Sequence, residues 1–94
     1  MTQSTEIDAD IREAMVDIVA GVLELEAAEI SWNGDFRADY DADSLQGIQI
    51  LAALERQFGI VISPERLPEM VTLASTYALV LEALAEAGGG NGAR

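Results

Sequence analysis

Asp43-Ser44-Leu45 sets a single hydroxyl, flanked by an acid and a leucine, where an acidic loop gives way to an amphipathic stretch. Little else in the chain could do covalent chemistry. There is no His, no Cys and no Lys, and all five basic residues are arginines. Imidazole bases, thiolates and Schiff-base amines are therefore absent. A hydrolase reading of Ser44 fails for want of a positioned base, and neither a G-x-S-x-G elbow nor a P-loop accompanies it. Read alone, Ser44 is a helix N-cap, a role worth typically about 1 kcal/mol. If the chain takes part in covalent chemistry, the reactive group is borrowed and attached at Ser44.

Aspartates at 39, 41 and 43 imitate the alternating oxygens that open a calcium-binding EF-hand loop. The imitation fails at Ser44, where the turn needs Gly, and at Ile50, where a bidentate Glu is required. No metal site is expected. The overall charge points instead to protein partners: 17 acids against five arginines leave a formal charge of −12. Such a surface repels nucleic acid and anionic lipid and steers a basic patch toward it. No run reaches the roughly 20 apolar residues that cross a bilayer, and the first residues lack the basic start and apolar core of a secretory signal. A cytoplasmic monomer without nucleic-acid or membrane binding is the expectation.

These residues must be positioned by helices. Hydrophobic residues make up 50% of the chain but aromatics only 5%, so the core is aliphatic, as in packed helices. The spacing predicts a first helix capped by Asp8, with Ile11, Met15, Ile18, Val22 and Leu25 inward. From 27 to 43 the period is lost, yet Ile30, Trp32, Phe36 and Tyr40 recur, so this loop should pack rather than float. A second helix is expected from Ser44, with Leu45, Ile48, Leu51, Leu54 and Phe58 inward and Gly59 as its C-terminal stop. Gly47 weakens it, either as a tolerated defect or to admit a close approach. Ile60-Val61-Ile62 has no strand to pair with and reads as a buried link. Ser63-Pro64 opens a short helix cut off near Pro68. Thr72 caps a last helix with Leu73, Tyr77, Val80, Leu81 and Leu84 inward. The fold class is all-α, a four-helix bundle of three main helices and one short one. Residues 1–87 form the domain, and the Gly-rich run 88–94 is expected to be a disordered tail.

The segment Asp41-Ala42-Asp43-Ser44-Leu45, the helix ending Leu54-Glu55-Arg56-Gln57-Phe58-Gly59, the Ile60-Val61-Ile62 link, the short 64–70 segment and the helix from Thr72 to Leu84 together resemble the acyl carrier proteins of fatty acid and polyketide synthesis. The resemblance spans roughly Ile7 to Ala85. It implies a four-helix bundle bearing 4′-phosphopantetheine on the motif serine, which here is Ser44, placed there from coenzyme A by a phosphopantetheinyl transferase. The terminal thiol of that arm would carry acyl chains as thioesters, which suits a chain with no thiol of its own. Catalysis would belong to the partners: a ketosynthase, an acyltransferase and other synthase enzymes with basic docking patches.

By the same resemblance, partner recognition falls to Asp41, Asp43, Leu45 and Glu55. Gln46 and Gln49 stand where fatty-acid carriers usually have acids, which counts against a pure fatty-acid carrier; with the Met1 start and the short tail, the expectation is a free-standing carrier of a polyketide or specialised fatty acid pathway. The acids before Ser44, where peptidyl carriers more often have glycines, count against a peptidyl carrier. The alternative from another class is an unmodified acidic helical adaptor that binds a basic protein. Whether Ser44 accepts the arm separates the two.

Overall fold

A computed structural model of the protein describes the backbone of residues 2–92 and the side chains of residues 8–87. Three long helices, α1 (Thr2–Leu23), α2 (Ser44–Phe58) and α3 (Leu73–Gly92), are joined by a 3-10 turn at Ala27–Glu29 and a 3-10 helix at Pro64–Glu69. There is no strand among the described residues. The all-α, four-helix expectation therefore holds, with Pro64–Glu69 as the short helix.

The core is one cluster drawn from the three long helices and the segments that join them. Met15 and Val19 of α1, Ile50 and Leu54 of α2, and Leu73 and Val80 of α3 are fully buried, with Phe36 from the long loop, Ile60 and Ile62 from the link, and Met70 beside them. Residues three or four apart share a helix face, so each helix contributes one stripe.

Several inward assignments change. Leu45 is 61% exposed and Ile48 49% exposed, whereas Ile50 is fully buried. At about 100° per residue, three successive steps of three turn through roughly 900°, so Leu45 and Leu54 lie on opposite faces. The early part of that stripe faces outward. In α3, Leu81 is turned out, and Leu79 and Ala83 are buried instead. Thr76 is the one buried polar residue among those described, and its hydroxyl donates to the Thr72 carbonyl at 2.7 Å, which satisfies it inside the core.

The helix ends follow local chemistry, with one reassignment in α1. Asp8 is not a cap: α1 starts at Thr2, and Asp8 instead reaches Arg12 one turn on, at 3.8 Å. Thr72 does cap α3, its hydroxyl accepting from the Ser75 N–H at 3.0 Å. Gly59 ends α2 at φ 62, in the left-handed region that glycine enters without cost. The helical backbone of α3 continues beyond Ala87; the expected tail falls on residues 88–94, whose side chains lie outside those described.

Candidate functional site: the α2 N-terminus and its loop

The long loop is tied to α1 and to the start of α3. Trp32 meets Tyr77 of α3 edge to face, with ring centroids 5.4 Å apart, and the Arg12 guanidinium lies over both rings at 4.9 and 5.1 Å. The Ala74 N–H donates to the Trp32 carbonyl at 3.1 Å, and the Phe36 N–H donates to the Val71 carbonyl at 2.8 Å. Tyr40 folds back so that its hydroxyl accepts from the Ser31 N–H at 2.6 Å. That ring lies directly on Gly34, where any β-carbon would press into the phenol, so the close approach requires glycine.

The acids of the loop serve its own backbone. Asp35 Oδ1 accepts from the N–H groups of Arg37 and Ala38 at 2.9 and 2.8 Å, and Asp39 Oδ2 accepts from the Asp35 N–H at 2.7 Å. Asp41 takes φ 59, a left-handed conformation that aspartate tolerates better than most residues. The Ala42 N–H then returns to the Phe36 carbonyl at 2.9 Å and aims the chain into α2.

Asp43, not Ser44, caps α2. Its Oδ1 accepts from the Gln46 N–H at 2.8 Å, while Gln46 Oε1 accepts from the Asp43 N–H at 3.0 Å, a reciprocal capping box. Ser44 is the first helical residue and its hydroxyl is left over from capping. It is exposed, and its oxygen accepts from Arg37 Nη2 at 3.1 Å.

The other residues singled out from sequence fall around this point in different ways. Leu45 projects into solvent beside Ser44, and Asp41 and Asp43 are exposed on the loop side. Glu55 lies three turns further along α2 and is half-buried; its Oε2 accepts from the Ile62 N–H at 2.9 Å and so holds the link, of which Val61 is 82% exposed. Arg37 was missed by sequence reasoning. Its approach to Ser44 depends on the path of the loop, for which the residue pattern carried no signal.

A cavity of about 480 Å³ opens beside Ser44, between the start of α2, the loop and the 3-10 helix; Ile48, Ile50, Leu67, Met70 and Val71 form much of its wall. Gly47 lines it too, and a β-carbon there would meet Leu67 at 3.9 Å, an ordinary contact, so packing does not require this glycine. An exposed hydroxyl at a helix N-terminus, an arginine touching it and an apolar recess at its side fit a phosphate ester whose substituent is in part apolar. Among the described residues no group of His, Cys, Asp or Glu could hold a metal ion, and no helix is long and apolar enough to cross a membrane.

Comparison with known proteins agrees with this geometry. Residues 13–80 match the family model of the phosphopantetheine attachment site. The chain is 39% identical over 80 residues to polyketide-8 synthase acyl carrier protein 1 of Streptomyces avermitilis, covering 85% of this chain and 95% of that one. It is 33% identical over 85 residues to polyketide-8 synthase acyl carrier protein 2 of the same organism, covering 90% and 94%. An acyl carrier protein of Treponema pallidum is 36% identical over 63 residues, covering 67% of this chain and 81% of that one. The chain belongs to the acyl carrier protein family, in general non-catalytic carriers that bear 4′-phosphopantetheine, receive it from a phosphopantetheinyl transferase and work with synthase enzymes.

Proposed function

We propose that this chain tethers acyl or polyketide intermediates as thioesters at Ser44, within a polyketide pathway. The observation that carries the reading is the position of the Ser44 hydroxyl: exposed, first in α2, and freed from capping by Asp43. Two relatives named as polyketide synthase carriers, aligned over almost their whole length, support the pathway class. Attachment joins Ser44 Oγ to the pantetheine-side phosphorus of coenzyme A, breaks the pyrophosphate bond and releases adenosine 3′,5′-bisphosphate. The serine proton leaves to a base on the transferase, since this chain has no imidazole or amine side chain to take it. Once bound, the arm supplies the terminal thiol that holds the acyl group.

The residues around Ser44 then do the work of presentation. Leu45 offers an apolar contact beside the arm, and Asp41, Asp43 and Glu55 form an acidic rim for basic patches on the transferase, ketosynthase and acyltransferase. Of these, Asp43 and Glu55 also hold the fold, through Gln46 and Ile62. The apolar wall of the neighbouring cavity offers shelter to the near end of a carried chain. Tethering converts encounters between active sites into intramolecular ones and raises effective concentration.

The test is incubation with an acyl coenzyme A and a broad-specificity transferase, followed by intact mass. One acyl-phosphopantetheine increment is expected, and hydroxylamine should remove the acyl part and leave the arm. No increment with a competent transferase, or an acyl group resistant to hydroxylamine, contradicts thioester carriage.

A further inference from the structure

We infer that Arg37 is the counter-ion of the arm's phosphodiester, holding the phosphate against the start of α2; this rests on attachment at Ser44. The described arginines are used very differently. Arg66 is paired with Glu69 and Glu82, and Arg12 with Asp8 beneath the two aromatic rings. Arg37 has four aspartates close in sequence, at 35, 39, 41 and 43, yet makes no carboxylate pair among the described residues. Asp35, Asp39 and Asp43 each spend an oxygen on backbone N–H groups. The guanidinium passes them and donates to one side-chain atom, Ser44 Oγ, at 3.1 Å.

That atom is the one to which phosphorus becomes bonded. A phosphodiester there adds a negative charge to a chain already at −12, directly after the Asp43 carboxylate. Left alone, that juxtaposition is repulsive. A planar guanidinium already touching Oγ brings its fork within reach of the new non-bridging oxygens, and charge-assisted bonds of this kind are about twice as strong as neutral ones. The short turn through Asp35, Arg37 and Ala38 holds the backbone of Arg37 in place, so little ordering remains to be done when the phosphate arrives. Loading thus exchanges a weak bond to a hydroxyl for an ion pair, and this fixes the first segment of an otherwise flexible arm.

The experiment uses the parent, Arg37→Gln, Arg37→Lys and a control, Arg56→Gln, each before and after loading from coenzyme A. Intact mass first reports attachment; a parent that gains no arm from a competent transferase overturns both the Ser44 reading and this inference. With the arm in place, nitrogen-detected arginine spectra should show the Arg37 Nε resonance moving on loading while that of Arg56 stays. The loading-induced change in melting temperature should be more negative in Arg37→Gln than in the parent by roughly 2–5 °C, as for an exposed ion pair in a domain of this size. That difference should close in 1 M salt, where screening reaches about 3 Å, and Arg37→Lys should recover part of it. A loaded parent with an unmoved Arg37 resonance, or an Arg37→Gln loading shift equal to the parent's, overturns the inference and leaves carriage at Ser44 intact.

Discussion

Asp43 and Gln46 cap each other: the Asp43 carboxylate accepts from the Gln46 N–H at 2.8 Å and the Gln46 amide oxygen accepts from the Asp43 N–H at 3.0 Å. The bond that a serine before a helix usually makes is therefore made by its neighbour, and Ser44 is released for other chemistry. Asp43→Ala should lower stability by about 0.5–2 kcal/mol, the usual loss for a cap. Ser44→Ala should stay within about 0.5 kcal/mol of the parent, as for an exposed site without such a role. Urea unfolding of the two variants decides it, and equal losses would mean that Ser44 shares the cap.

The two glycines nearest the site should respond to alanine with opposite signs. At Gly34 a β-carbon meets the Tyr40 phenol, so Gly34→Ala should destabilise and break the Tyr40 bond to the Ser31 N–H. Gly47→Ala meets only Leu67 at an ordinary distance and should stabilise α2 by up to about 1 kcal/mol. Thermal melts of both variants provide the check. A stable Gly34→Ala would mean that the loop can repack around Tyr40.

Acid should act through Glu69. Two bonds from Arg66, at 2.6 and 3.0 Å, hold its carboxyl below its ordinary 4.5 and hold the Arg66 guanidinium above its own ordinary value. A carboxyl depressed by folding contributes stability that is present above 4.5 and is lost as the pH falls through its folded value. Arg66 stays charged throughout that range and adds no slope. Melting temperature followed from pH 7 down to pH 3 should therefore fall more steeply in the parent than in Glu69→Gln. Parallel curves would remove the pair from the pH dependence.

Asp41→Asn, which removes the charge but keeps a side chain that tolerates the left-handed backbone at φ 59, should slow transfer of the arm with little change in melting temperature, as expected of an exposed steering charge. Asp43→Lys and Glu55→Lys should slow transfer and also lower stability, because those carboxylates bond the Gln46 and Ile62 N–H groups. Stopped-flow association with the transferase at two salt concentrations separates the effects. Equal slowing by Glu86→Lys, at the far end of the chain, would make the attraction a property of total charge.

Much of this was legible in the sequence. The helix order, the Gly59 stop, the Thr72 cap and the packed aromatic loop follow from spacing and turn chemistry. The cap of α2 was legible too, since Asp-x-x-Gln is a capping-box pattern, but the serine beside it drew the assignment one residue late. The outward turn of Leu45 and Ile48 follows from helix arithmetic: three successive steps of three, with no four before Phe58, leave the face they began on. The Arg37 to Ser44 contact could not be read this way. It exists because Phe36 is pinned to Val71 and Ala42 to Phe36, pairings that no local pattern encodes.

The most direct measurement is intact and fragment mass of the parent and of Ser44→Ala after incubation with coenzyme A and a competent transferase, with circular dichroism on both. The expected result is two equally helical proteins, of which the parent gains one phosphopantetheine located at Ser44 and the variant gains nothing. An arm found on another residue, or a parent that no competent transferase modifies, would contradict carriage at Ser44.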